Sequence, residues 1–417
     1  MVSDIFSTIL RALCSLFMMF LFFKLVEFVV KVWWIPLTVT KFMEKQGITG
    51  PPYKFLHGNN KEVRLMIMDV FLCWLGTRPQ LVVTEPELIR EIINNKKGDF
   101  QKPKKNPIVK RLLGDGLVLA DGEKWVRHRK LANKAFNGES FRVTPLFFSL
   151  SLYRGAGVAR DEIEAKMLDQ QITRSIRKMI EAREERVRNG DANGYGVDFF
   201  GMLLQSPVNS NISLQDIVDE CKTFYFAGHV SSSALLTWTV VLLAMHPEWQ
   251  ERARKEVIQV LGSDTPSFDG LAQLKIMNMI INESLRLYPP GQLLNRISTR
   301  KLRVGKFTIP SGMELVVPIL AVHHDPSQWR EDVSLFKPDR FAHGVTSAAS
   351  TQVSFIPFGH GPRICAGLNF ATLEAKLALS MILRRYTFTL SLSYQHAPVS
   401  RITLVPQQGA QIIIHSL

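Results

Sequence analysis

Between Leu214 and Met245 the chain carries about 30 mostly apolar residues without a proline, led in by Ser213 and Asp216 at capping-box spacing. A helix there is roughly 45 Å long at 1.5 Å per residue. One that long and apolar belongs across the centre of a large domain, and 417 residues suffice to surround it. Pro247 opens a further helix, and Leu271 to Tyr288 reads as another, stopped by Pro289 and Pro290. Glu123 to Phe136, Asp161 to Arg188 and Leu368 to Arg384 are also helical in pattern. Leu81 to Thr84 reads as a short strand before a helix that runs to about Asn94. Lys301 to Pro318 alternates around Pro310 and Gly312 and reads as a β-hairpin; Ile402 to Ile414 reads as a strand. The expected fold class is therefore mainly α with small β-sheets.

Lysine and arginine number 51 against 37 acids, a net charge of +14. Such an excess suits nucleic acid, an anionic membrane face or an acidic protein partner. The basic residues are interleaved with acids, as in Glu181 to Arg188, and no nucleic-acid motif is present, so no nucleic-acid partner is expected. Cys14, Cys73, Cys221 and Cys365 are too scattered for a disulfide framework and form no C-x-x-C pair.

Residues 1–35 read as a membrane anchor. Ala12 to Phe23 is uncharged and flanked by Arg11 and Lys24, and apolar character continues to Ile35. Phe22-Phe23-Lys24 offers no small-residue cleavage site. Lys24, Lys31 and Lys41 follow the span and only Arg11 precedes it, which places the remainder in the cytosol. Residues 36–52, ending in Gly50-Pro-Pro52, read as a linker, and 53–417 as the globular body.

Phe358-Gly-His-Gly-Pro-Arg-Ile-Cys-Ala-Gly367 directly precedes a helix. Gly359, Gly361 and Gly367 allow positive φ and close backbone approach to something flat. Cys365 near a helix N-terminus is favoured as a thiolate, and Arg363 supplies a cation suited to a carboxylate. Thiolate ligation of haem iron fits this arrangement; a buried structural cysteine in a turn is the alternative.

The motif resembles the haem-binding signature of the cytochrome P-450 family, Phe-Gly-x-Gly-x-Arg-x-Cys-x-Gly, at Phe358, Gly359, Gly361, Arg363, Cys365 and Gly367. Glu283 and Arg286 match the family's Glu-x-x-Arg helix, with Arg340 in Phe336 to Phe341 as the third member of its structural lock. Trp125 and Arg129 are similar to the Trp-x-x-x-Arg pair that reaches a haem propionate, and Arg296 and His323 fall where further propionate contacts lie. The stretches 236–254 and 124–138 look most like a plant clan that includes secologanin synthase and hydroxylases acting on gibberellins and brassinosteroids. The resemblance implies haem b with Cys365 as axial ligand, an NADPH-dependent cytochrome reductase as partner, and a single-pass protein of the endoplasmic reticulum membrane. It further implies a monooxygenase acting on a small lipophilic substrate, terpenoid or hormone-like.

Two departures stand out. Where the family shows Ala/Gly-Gly-x-Asp/Glu-Thr-Thr/Ser, this chain reads Ala227-Gly-His-Val-Ser-Ser232. Gly228 and Ser231 are retained as candidate catalytic positions, while Val230 cannot deliver a proton as the acid does. That change also suits a reductase-independent isomerase or dehydratase. In addition, the fold is expected to be shortened between residues 137 and 165, where Phe141 to Arg160 resembles nothing in the family. A truncated, non-catalytic product is thus a third reading. Losing packed helices uncovers apolar surface at roughly 25 cal/mol per Å², so the purified chain is expected to aggregate. A sharp, reversible thermal transition of haem-loaded protein would contradict this.

Overall fold

The computed structural model describes residues 2–417 apart from 56, 60–68, 104–106, 137–161, 193, 197, 206–211 and 264–265. Phe141 to Arg160 therefore lies outside the described residues. The architecture is mainly helical with small sheets, and the chain divides into two compact units, residues 1–101 with 295–318 and residues 102–294 with 319–417.

In the first unit, helix α1 (Val2–Val29) passes through a π-helical turn (Val30–Trp34) into α2 (Ile35–Glu44). The helix does not stop at Ile35, because Pro36 sits at the start of α2, where its missing N–H costs nothing. Residues 9–44 have a mean hydropathy of 2.2 in their most apolar window, none of it buried, as suits a membrane anchor. Strands β1 (Val70–Leu75) and β2 (Arg78–Val83) pair antiparallel, and α3 (Pro86–Ile93) follows. A five-stranded sheet runs β1-β2-β7-β4-β3, with β3 (Phe100–Gln101), β4 (Leu293–Ser298) and β7 (Glu314–Pro318). The parallel register Leu81↔Leu315 draws two distant stretches of chain into one unit. Strands β5 (Leu302–Val304) and β6 (Phe307–Ile309) make a separate hairpin turning at Gly305. The alternating stretch 301–318 is thus a hairpin plus a strand of another sheet, since the turn at Pro310–Gly312 redirects the chain to β7.

The second unit is built on helices. It contains α4 (Pro107–Leu113), α5 (Gly122–Ala135), α6 (Glu162–Arg188), α7 (Phe199–Gln205), α8 (Leu214–Met245), α9 (Pro247–Leu261), α10 (Phe268–Gln273), α11 (Lys275–Leu287) and α12 (Leu368–Leu383). Leu274 has an extended backbone and separates α10 from α11, so the single helix expected from Leu271 to Tyr288 is two. Likewise 402–414 holds two strands in different sheets. In these sheets β9 (Pro398–Ser400) pairs with β10 (Leu404–Pro406), and β8 (Tyr386–Leu390) with β11 (Ile412–Ser416).

Helix α8 is the spine of this unit. Ser213 accepts from Asp216 N at 3.1 Å and donates its own N–H back to Asp216 Oδ2 at 3.0 Å, closing the capping box. Its buried Leu235, Leu242 and Leu243 join Leu274 just before α11, Met277 and Ile281 of α11, and Leu379 and Leu383 of α12 in one core. Trp238, fully buried, stacks on Tyr288 at 3.9 Å and donates Nε1–H to Leu404 O at 2.9 Å. Although α8 is long and apolar enough to cross a membrane, 44% of its most apolar window is buried in protein. It is the core helix the sequence pattern calls for.

Candidate active site

The cysteine loop enters α12 through a tight turn. Gly359 and Gly361 have φ of 73° and 72°, the left-handed region that side chains avoid. Gly367 does not share that conformation, with φ −90°; a Cβ there would lie 4.0 Å from Cys365 Sγ, an ordinary contact. Cys365 N donates to Phe358 O at 2.9 Å, folding the loop back on itself. The Cys365 side chain retains accessible surface, yet protein atoms crowd the sulfur. That desolvation pushes the thiol up, against the Gly367 N–H and the Arg129 charge, which pull it down.

Two clamps join the loop to α5. Arg129 Nη1 donates to Ile364 O, next to the cysteine. From the loop, Arg363 reaches the carboxylate of Asp121 and the carbonyl of Ala120, and lies 4.4 Å from the centre of the Trp125 ring. The Trp125 indole N–H has no partner among the described residues. Arg296 is on β4 in the other unit, its Nη1 on Asn295 O at 2.9 Å.

A buried ion cluster lies behind the loop. Arg286 spends all five N–H groups: Nε and Nη2 on the two Glu283 oxygens, both at 2.8 Å, and the rest on Val333 O, His323 O and Leu335 O. Arg340 Nε adds a longer contact to Glu283 at 3.4 Å and pairs with Asp332. Glu283 and Arg286 are fully buried.

His323 does something other than meet a propionate. It is fully buried, and its Nε2 accepts from Ile356 N at 3.0 Å. Since a backbone N–H can only donate, the proton is on Nδ1, which donates to Arg286 O at 3.2 Å. Both ring nitrogens are committed to backbone. Burial, set against the backbone bond to Arg286, pushes the imidazole down to about 3, so it stays neutral. The bonded path then continues from Ile356 O to Gly359 N at 2.9 Å, and so into the cysteine loop.

On α8, a Cβ at Gly228 would meet nothing within 4 Å, leaving open space at that point. Ser231 Oγ donates to Ala227 O at 2.6 Å, one turn back. These residues fit a haem-thiolate centre: a sulfur with accessible surface, a cation coupled to it, an unengaged indole N–H, and an opening on the long helix.

The sequence profile of the cytochrome P450 family matches residues 34–151 and 144–414. This chain belongs to the cytochrome P450 family. It is an oxidoreductase of that family, whose cofactor is a haem-thiolate. The chain is 37% identical to cytochrome P450 CYP749A22 of Panax ginseng over 517 positions, covering 99% of this chain and 97% of that one. It is 35% identical to cytochrome P450 734A1 of Arabidopsis thaliana, covering 93% of each. It is 34% identical to the 11-oxo-beta-amyrin 30-oxidase of Glycyrrhiza uralensis, covering 93% and 94%. Because 417 residues are spread over 517 positions, at least 100 positions of the ginseng alignment hold no residue of this P450. The two matched stretches meet at residues 144–151, inside the stretch expected to be short.

Sequence reasoning missed three partners in this P450. Ser232 Oγ donates to Glu374 Oε2 at 2.7 Å, and burial raises the Glu374 carboxyl while Ser232 and His229 pull it down. An acid therefore reaches this turn of α8 from α12, beside a helix whose own position 230 is valine. Asp121, the partner of Arg363, is the second. The third is Glu220, buried on α8 against His128 of α5. The signal for Glu374 was its place nine residues after Cys365, between residues facing the core.

Glu283→Ala strands the Arg286 charge in the interior and is expected to cost about 3–5 kcal/mol. His323→Phe keeps that pair but orphans Ile356 N–H, at about 1–3 kcal/mol. Wild-type stability should fall as pH drops from 6.5 toward about 3, because the unfolded chain takes the His323 proton first. Thermal unfolding across that range checks both, and the Phe variant should lack this part of the slope.

Proposed function

We propose that this P450 inserts one atom of dioxygen into a small lipophilic substrate, with electrons from an NADPH-dependent flavoprotein reductase. The observation that carries the reading is the glycine-framed Cys365 loop, clamped to α5 and bonded back to Arg286. Cys365 would hold iron as a thiolate, a soft donor suited to that metal. Trp125 and Arg129 would hold the propionates. Arg363 is a positioning residue that orders Trp125 through stacking and Asp121. Bound haem b supplies the oxidation chemistry.

The chain's own residues supply the surroundings. Gly228 leaves space beside the helix, and Ser231 offers a hydroxyl. Glu374, held toward its protonated form by burial and bonded to Ser232, takes the proton-donor role that Val230 cannot. Relatives named as 11-oxo-beta-amyrin oxidases support a terpenoid substrate. The apolar helix would anchor the enzyme in the endoplasmic reticulum membrane with its body in the cytosol. Exposed Arg127 and Lys130 on α5, the helix clamped to the cysteine loop, offer a basic face to an acidic reductase. The 100 or more alignment positions that this chain lacks relative to the ginseng P450, taken with the expected shortening between residues 137 and 165, favour a second reading, a haem-binding product whose substrate pocket is incomplete.

Cys365→Ala should abolish haem-dependent oxidation, and turnover at the wild-type level in that variant would sink the reading. Thiolate-ligated haem in the wild type with no turnover of any terpenoid would favour the incomplete pocket. In an active enzyme, activity should fall as pH rises and Glu374 loses its proton. Glu374→Gln should lower product formed per NADPH about tenfold or more without altering the carbon-monoxide spectrum, and should flatten that alkaline limb.

A further inference from the structure

Within the first unit, the end of the anchor is fastened to the β5–β6 hairpin. Gln46, two residues beyond α2, puts both atoms of its side-chain amide on Thr308. Its Nε2 donates to Thr308 O at 3.1 Å, and its Oε1 accepts from Thr308 N at 2.6 Å. At the foot of the hairpin, the Lys301 ammonium lies 5.9 Å from the centre of the Phe42 ring. The height of the hairpin above the apolar run is thus set by helix geometry and not by a slack linker. Trp33 and Trp34 are 63% and 68% exposed and close that run, as aromatic residues do at a membrane–water boundary. From Trp34 to Phe42 the helix rises roughly 12 Å at 1.5 Å per residue. The charge of a lipid surface is felt over about 8–10 Å beyond its headgroups.

Beside the hairpin is a hollow of about 510 Å³ lined by Lys96, Lys97, Arg300 and Arg303 together with Glu91 and Asp99. Both acids are engaged: Asp99 Oδ1 accepts from Arg300 Nε at 2.8 Å, and Glu91 Oε2 from Gly305 N at 2.8 Å. Neither Lys96 nor Lys97 has an ion-pair partner among the described residues, and both are exposed. Arg303 uses Nε on Gly305 O at 3.0 Å. The hollow is therefore net positive, and it adjoins the hairpin that is strapped to the anchor's exit.

We infer that this hollow takes the headgroup of an anionic phospholipid of the anchoring membrane, giving the enzyme a second, charge-selective contact with the bilayer. The inference rests on the anchor part of the proposed function. The hairpin's buried Val304, Phe307 and Ile309 hold it on the body, while Arg303 faces solvent. Lipid contact would then bear on the orientation of the first unit at the membrane.

The test is amide hydrogen exchange of the full chain in nanodiscs of phosphatidylcholine alone or with phosphatidylserine. Peptides covering 94–102 and 299–307 should exchange about fivefold more slowly with the anionic lipid. Lys96→Glu with Arg303→Glu, or high salt, should remove the difference. Equal exchange in both discs overturns the inference, as does protection that survives the double variant. Protection by inorganic phosphate equal to that by phosphatidylserine would show an anion site with no lipid role, and also overturns it. A chain that enters neither disc refutes the anchor reading instead, and the same comparison on phosphatidylserine vesicles then decides the hollow by itself.

Discussion

The five N–H groups of Arg286 organise the body of this P450. A guanidinium cannot shed its charge, so burying it is tolerable only if every donor finds an acceptor. Glu283 takes two of them as a fork, and three backbone carbonyls take the others. Those carbonyls belong to His323, Val333 and Leu335, so satisfying one charge fixes the course of residues 323–335. His323 then extends the order: its ring bonds Ile356, and Ile356 bonds Gly359 of the cysteine loop. A charge buried on α11 thereby sets the position of a thiol whose loop has little regular structure of its own.

The second support is α5. Arg129 holds the loop from one side, while Arg363 reaches from the loop to Asp121 and packs on Trp125. Two reciprocal arginines leave the loop and the helix no independent motion without breaking a charge-assisted bond. Farther along α5, His128 meets Glu220 of α8, so the helix that clamps the loop is also fixed to the spine. The ginseng alignment carries at least 100 positions that this chain lacks, and the two stretches matched by the family profile meet at residues 144–151, between this helix and α6. The proposed haem loop and its braces lie outside residues 137–165, where the shortening is expected, so cofactor binding and substrate oxidation separate as questions for this chain.

Much of this was legible in the sequence. The capping box at Ser213, the cysteine loop and the Glu283–Arg286 spacing are local patterns, and local patterns carry their geometry with them. The family and its haem followed from their joint occurrence. His323 was misassigned because nothing in its neighbourhood shows that both ring nitrogens are used by backbone 33 and 37 residues away. Arg363 is expected at a haem carboxylate, and the carboxylate it meets among the described residues is Asp121, 242 residues earlier. The strand expected over 402–414 and the hairpin expected over 301–318 hold only in part, for one reason. Alternation reports a pleated segment but not the sheet it joins, and β7 is claimed by β2 more than 200 residues upstream. The helix beyond Ile35 was hidden by Pro36, which reads as a break inside a helix but is well placed at the start of one.

The claim that most depends on is that Cys365 binds haem iron as a thiolate in the chain as it stands. The reduced carbon-monoxide difference spectrum of the membrane-expressed protein tests it directly. A Soret band at the far-red position diagnostic of thiolate ligation is the predicted result. A band typical of histidine or neutral ligation, or no haem at all, would contradict it.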